Sequence, residues 1–113
     1  MKYAVVMVSA KHSEVFREAG EAVHNALLDL GHNSILVNTG PAGVAEDRTV
    51  ILFGWNVVTQ LEYDMLRPDT ILYNLEQPGS LWMRPERLAP FHRFQWWDWS
   101  VAGTDLLASH GHP

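Results

Sequence analysis

The sequence predicts a three-layer α/β fold: a Rossmann-like parallel sheet of about five strands with helices on both faces. Three observations carry this. Residues 3–8 are a continuous apolar run and 49–53 a second buried-strand segment, the pattern of strands buried on both faces. Residues 13–30 form a long amphipathic helical pattern directly after the first of these runs. Further strand-like and helix-like segments then alternate to the end, and such alternation builds parallel strands joined by right-handed crossovers.

The elements follow in order. The first strand is Tyr-Ala-Val-Val-Met-Val at 3–8. In the helix after it, Val15, Phe16, Ala19, Ala22, Val23, Ala26, Leu27 and Leu30 recur every three or four residues. Glu14, Arg17, Glu18, Glu21 and Asp29 fall between them and take the solvent face. Ser13 suits the N-cap, Glu14 suits the positive end of the helix dipole, and Gly31 suits a left-handed stop.

Residues 34–38 read as a second strand, and Gly40-Pro41-Ala42-Gly43 as loop. The third strand, 49–53, stops at Gly54. Residues 56–66 fit a shorter helix with Val57, Val58, Leu61, Met65 and Leu66 inward, ended by Pro68. The fourth strand is 70–75. Residues 76–90 read as irregular because Pro78, Gly79, Pro85 and Pro90 interrupt them, with a helical turn near 86–88. Residues 94–99 make the fifth strand and 101–109 the last helix.

Composition narrows the function. The chain has 113 residues, with 8 Lys and Arg against 13 Asp and Glu, a formal charge of −5. One domain fits this length. The acidic balance argues against a surface that tracks nucleic-acid phosphates. With no cysteine, disulfides, thiolate nucleophiles and Cys-ligated zinc are excluded. No apolar run reaches the ~18 residues of a membrane span, and the N-terminal run is too short for a signal-peptide core. A cytoplasmic protein without a transmembrane segment is expected.

Motifs exclude more. The loop after the first strand, Ser-Ala-Lys-His-Ser, has neither the G-x-G-x-x-G dinucleotide fingerprint nor a P-loop. A small nucleotide-binding enzyme is disfavoured accordingly. The chain has no G-x-S-x-G elbow, and no acidic residues at the strand ends where a phosphoacceptor would need them. The six histidines lack ligand spacing, so no metal and no cofactor is expected.

In open parallel sheets, ligands bind beyond the carboxyl ends of the strands. The candidate ligand-binding residues are therefore His12, Ser13, Asn56, Glu76, Gln77, Asp98 and Ser100. Exposed amides near His12 and Ser13 suit an anionic or hydroxyl-rich ligand. Asn56 suits a cap of the second helix as well as ligand contact. Glu76 can accept hydrogen bonds from ligand hydroxyls, act as a base, or brace its own loop. Asn74, if buried, must satisfy its amide. Of five Trp, four lie at 82–99. Alternation puts Trp97 and Trp99 on one face of the fifth strand, and Trp96 and Asp98 on the other. At least two of these tryptophans are expected in the core. No residue is singled out as a catalytic base.

Four segments occur in order: Lys11-His12-Ser13, the run Ala-Leu-Leu-Asp-Leu-Gly-His at 26–32, the run Asp-Thr-Ile-Leu-Tyr-Asn-Leu-Glu-Gln at 69–77, and Trp97-Asp98-Trp99-Ser100. Together they resemble the N-terminal Rossmann-like half of bacterial glycosyltransferase-like proteins of the two-domain GT-B type, over nearly the whole chain. Tyr-Asn-Leu-Glu-Gln is the most specific piece. The resemblance implies sugar transfer from a nucleotide sugar, with neither a dinucleotide nor, usually, a bound metal. It implies that this half shapes the acceptor side of the cleft, lined by His12, Glu76, Gln77 and Asp98, while a C-terminal domain holds the donor. Little or no transferase activity is then expected of the chain alone. The alternative is a non-catalytic binding or assembly module whose exposed apolar surface meets a second copy or a partner chain.

Overall fold

A computed structural model describes residues 1–8, 13–38, 47–75, 83–98 and 101–109. Five strands, β1 (Lys2–Met7), β2 (Asn33–Val37), β3 (Thr49–Phe53), β4 (Ile71–Asn74) and β5 (Gln95–Asp98), form one sheet. Its order is β2-β1-β3-β4-β5 and every pairing is parallel. The helices are α1 (Ser13–Asp29), α2 (Gln60–Met65), α3 (Pro90–Arg93) and α4 (Val101–Ser109). The strand order reverses at β1, which lies between β2 and β3, as in doubly wound sheets.

The central strands are apolar on both sides because both sides are covered. Toward α1, Val5, Met7, Ile51, Phe53 and Ile71 pack with Leu27, Ala19 and Val23. On the opposite face, Ala4, Val6, Val50, Leu52 and Leu72 pack with Trp55, Tyr63, Leu66, Phe91 and Leu107. Ile51, Leu52, Phe53 and Leu72 are fully buried, each contributing roughly 1.5–3 kcal/mol by removal from water.

Helix α1 ends as its sequence predicts. Gly31 has φ 85°, its N–H bonds to the Leu28 carbonyl, and the His32 N–H bonds to the Leu27 carbonyl. This pair of bonds is a Schellman stop, which favours glycine at the left-handed position. The Gly40–Gly43 loop lies outside the described residues.

The second helix departs from expectation. A single helix over 56–66 is replaced by a 3-10 turn at Trp55–Val57 and a separate α2. Gly54 (φ 95°) swings the chain out of β3, and Thr59 restarts it with a capping box. The Glu62 N–H donates to Thr59 Oγ1 at 3.2 Å, while the Thr59 N–H and Oγ1 donate to Glu62 Oε1 at 3.1 and 3.0 Å. This start sets a different helical phase. Tyr63 and Leu66 turn inward, whereas Leu61 and Met65 are 72% and 61% exposed. Asn56 does not cap α2, because Thr59 does.

The expected turn near 86–88 is a 3-10 turn at Pro85–Arg87. Pro90 was expected to interrupt structure but opens α3. At the first helical position its missing N–H leaves no bond unmade. Among the described residues, no helix is long and apolar enough to cross a membrane.

Candidate functional site at the carboxyl edge

The last residues of β4 and β5, Asn74 and Asp98, are register partners. Asn74 is fully buried. Its Nδ2 donates to Asp98 Oδ2 at 2.7 Å and lies 3.6 Å from Met83 Sδ, and its Oδ1 accepts from Trp55 Nε1 at 3.0 Å. A buried amide is tolerated only when bonded, and this one is bonded on both sides. Trp55 is held in turn by an edge-to-face contact with Phe91, and its carbonyl accepts from the Tyr63 hydroxyl. Burial pushes the Tyr63 phenol well above its usual pKa, and the nearby Glu62 charge adds to this.

The Asp98 carboxylate rests on Gly103, in the first turn of α4. A Cβ at Gly103 would lie 2.6 Å from both Asp98 Cγ and Oδ1, and closer still to Oδ2. Only glycine lets the helix approach this carboxylate. Trp55, Asn74, Asp98 and Gly103 therefore link the turn after β3, the ends of two strands and the start of a helix. Asp98 is partly exposed, and a fixed carboxylate there can accept hydrogen bonds from a ligand's hydroxyls.

On the other side of the sheet, Phe53, Tyr73 and Trp97 stand in register across three strands. Phe53 and Tyr73 stack at 4.7 Å, and Tyr73 meets Trp97 edge-to-face at 6.2 Å. Exposure rises along the row to 39% at Trp97. Trp96, on the opposite face with Asp98, packs against the core beside Phe91. The expected alternation holds for these three residues. Trp82 and Trp99 lie outside the described residues; among the described tryptophans, Trp55 is the buried one, away from the cluster.

Among the sequence candidates, Asp98 joins this edge and Ser13 is the first residue of α1. His12, Glu76, Gln77 and Ser100 lie outside the described residues. Asn56 lies elsewhere, in a groove of about 220 Å³ with Trp55, Val58, Tyr63, Arg87 and Pro90. Sequence reasoning noted Asn74 but missed Trp55 and Gly103. An amide closing an apolar Ile-Leu-Tyr run was the available signal for a buried polar network. Nothing local marks Gly103, whose role depends on a side chain five residues earlier. Among the described residues, no three His, Asp or Glu side chains gather as metal ligands would. Comparison with known protein families, with curated proteins and with solved structures returned no match to this chain.

Proposed function

We propose that this chain is a glycosyltransferase-like domain that contributes the acceptor side of a sugar-transfer cleft and has little activity without a domain that holds the nucleotide sugar. The reading starts from the ordered segments around Lys11, Gly31, Asn74 and Trp97. The observation that carries it furthest is the Asn74–Asp98 pair, because it fixes a carboxylate at the carboxyl edge of a parallel sheet. Sugar hydroxyls are the chemistry such an acceptor suits. His12, Ser13, Glu76, Gln77 and Ser100 would join Asp98 around the same edge.

The test has two parts. Titrating the ¹⁵N-labelled chain with mono- and oligosaccharide acceptors should shift the amides of Asn74, Asp98 and Gly103. No shift at this edge with any sugar would overturn the reading. Incubation with UDP- and GDP-sugars should give no turnover, and robust transfer by these 113 residues would overturn the incomplete-half interpretation. A second reading, a non-catalytic binding or assembly module, is favoured by Trp97, the exposed end of the aromatic row. Concentration-dependent light scattering that Trp97→Ala abolishes would support it.

A further inference from the structure

A buried amide such as Asn74 can face its neighbours in two ways, with its acceptor oxygen to one side and its donor nitrogen to the other, or the reverse. The groups on its two sides differ in how firmly they choose. Trp55 Nε1–H, 3.0 Å from Asn74 Oδ1, donates and never accepts. Asp98 Oδ2, 2.7 Å from Asn74 Nδ2, accepts while the carboxylate is ionised, but a carboxyl that carries a proton can also donate. Met83 Sδ, 3.6 Å from Nδ2, is a weak acceptor. The demand made by Trp55 is therefore the permanent one. Its indole is also firmly placed. Trp55 is buried, Phe91 meets its ring edge-to-face at 4.7 Å, and its carbonyl accepts from the Tyr63 hydroxyl and from the Val58 N–H at 3.4 Å.

Turned the other way, the amide would set Nδ2 against the indole N–H and Oδ1 against the Asp98 carboxylate. Donor would face donor and acceptor would face acceptor, in a buried place where unpaired polar groups are costly. We propose that Trp55 is the positioning residue of this edge: it keeps the Asn74 amide turned so that a donor meets Asp98, whatever the state of the carboxyl. Asp98 then faces a ligand as an acceptor. This narrows the ligand class, and that step rests on the reading of the edge as a sugar site. Sugars that bring donors, hydroxyls or an ammonium group, match the carboxylate, whereas a sugar acid sets a like charge against it. An amino sugar is the best match, because its ammonium adds charge to the hydrogen bond.

The experiment first reads the amide of the ¹⁵N-labelled chain without ligand. The Asn74 side-chain NH₂ should give a single pair of signals with a cross-relaxation peak to the Met83 methyl, because Nδ2 lies beside Met83 Sδ. Asp98→Asn supplies a group that can donate or accept, so position 98 no longer dictates the orientation. With Trp55 in place, the single pair and its Met83 contact should persist. Adding Trp55→Phe removes the indole donor, and a second pair, shifted by the aromatic ring at position 55, should appear. Phe91→Leu with Asp98→Asn loosens the same packing but keeps the indole N–H, and should leave a single pair, which separates positioning from stability. The role of Trp55 is overturned if Asp98→Asn alone shows both pairs, or if the Trp55→Phe combination shows only the first. The former outcome leaves Trp55 untouched, so it is decisive even if Trp55→Phe unfolds the chain. A titration of the parent at low salt then tests the ligand class. Glucosamine should move the Asn74 and Asp98 amides at a concentration about threefold below that for glucose, the scale of an exposed ion pair, and glucuronate should move neither. Glucuronate binding as tightly as glucosamine would overturn the preference for donors. No response to any of the three, with the NH₂ pattern as expected, would overturn the sugar reading and leave the positioning role of Trp55 standing.

Discussion

Replacing Asn74 gives the sharpest test of the carboxyl-edge network. Asn74→Ala removes the donor to Asp98 at 2.7 Å and the acceptor for Trp55 Nε1 at 3.0 Å. A hydrogen bond to a charged group contributes roughly 1.5–3 kcal/mol, and a buried donor left unpaired costs roughly 1–3 kcal/mol. Asp98 is partly exposed and water can replace part of its loss, so about 3 kcal/mol is expected in all. Urea unfolding followed by tryptophan fluorescence reads this as a lower midpoint with an unchanged slope. Asn74→Asp is more diagnostic, because it sets a second carboxylate against Asp98. Two facing carboxyls share a proton, so the folded pair binds it above the ordinary Asp value of ~3.9. A raised folded pKa gives stability that is present at low pH and lost as the pH rises. The Asn74→Asp variant should therefore be most stable near pH 4 and weaken toward neutrality. The network is refuted if Asn74→Ala costs less than about 0.5 kcal/mol, the level of an ordinary surface change, or if Asn74→Asp matches the parent at pH 7.

Three further outcomes follow from the packing. Gly103→Ala gains helix propensity of about 1 kcal/mol but drives a methyl into the Asp98 carboxylate, which Asn74 holds from the other side. A net loss of roughly 1–3 kcal/mol is expected by thermal melting, and the effect should be non-additive with Asn74→Ala because both act on one carboxylate. Tyr63 has its folded pKa raised above the ordinary value of 10.0 by burial. Its contribution to stability is present below that pH and lost above it. Tyr63→Phe should flatten the alkaline fall in stability, and phenolate absorbance in the parent should develop for Tyr63 only as the chain unfolds. Finally, Leu61→Gln and Met65→Gln should change stability by less than about 0.5 kcal/mol, whereas Leu66→Ala should cost roughly 2–5 kcal/mol. Urea midpoints in the reverse order would restore the single-helix register.

The difference between what could and could not be read lies in the range of the interactions involved. The central strands were legible because burial on both faces leaves an apolar run that no other element of that length produces. Strand β3 has the expected limits, 49–53, bounded by the left-handed Gly54. The last helix, α4, also has its expected limits. Helix α2 was misread because apolar spacing over 56–66 fits a helix whose phase is set by its first residue, and the Thr59–Glu62 box moves that residue. A four-residue shift in the start, after a 3-10 turn, sends Leu61 and Met65 to solvent although their spacing is helical.

The candidate site was legible in part for a related reason. Alternation alone places Asp98 on the same face as Trp96, and the β4–β5 register brings it to Asn74. That register pairs residues 24 apart in the chain, which no local pattern encodes. Trp55 and Gly103 join the site only through this pairing, one by donating to the amide and the other by clearing space for the carboxylate. The network therefore couples two crossovers and the helix after β5 at one edge. Loosening any member should free the turn after β3 and the start of α4 together. Hydrogen exchange can test this: in Asn74→Ala the amides of Val58 and Leu107, on different elements, should lose protection together, while those of Val5 and Leu27 on the α1 side keep theirs. Independent loss at the two elements would mean that the shared carboxylate does not couple them.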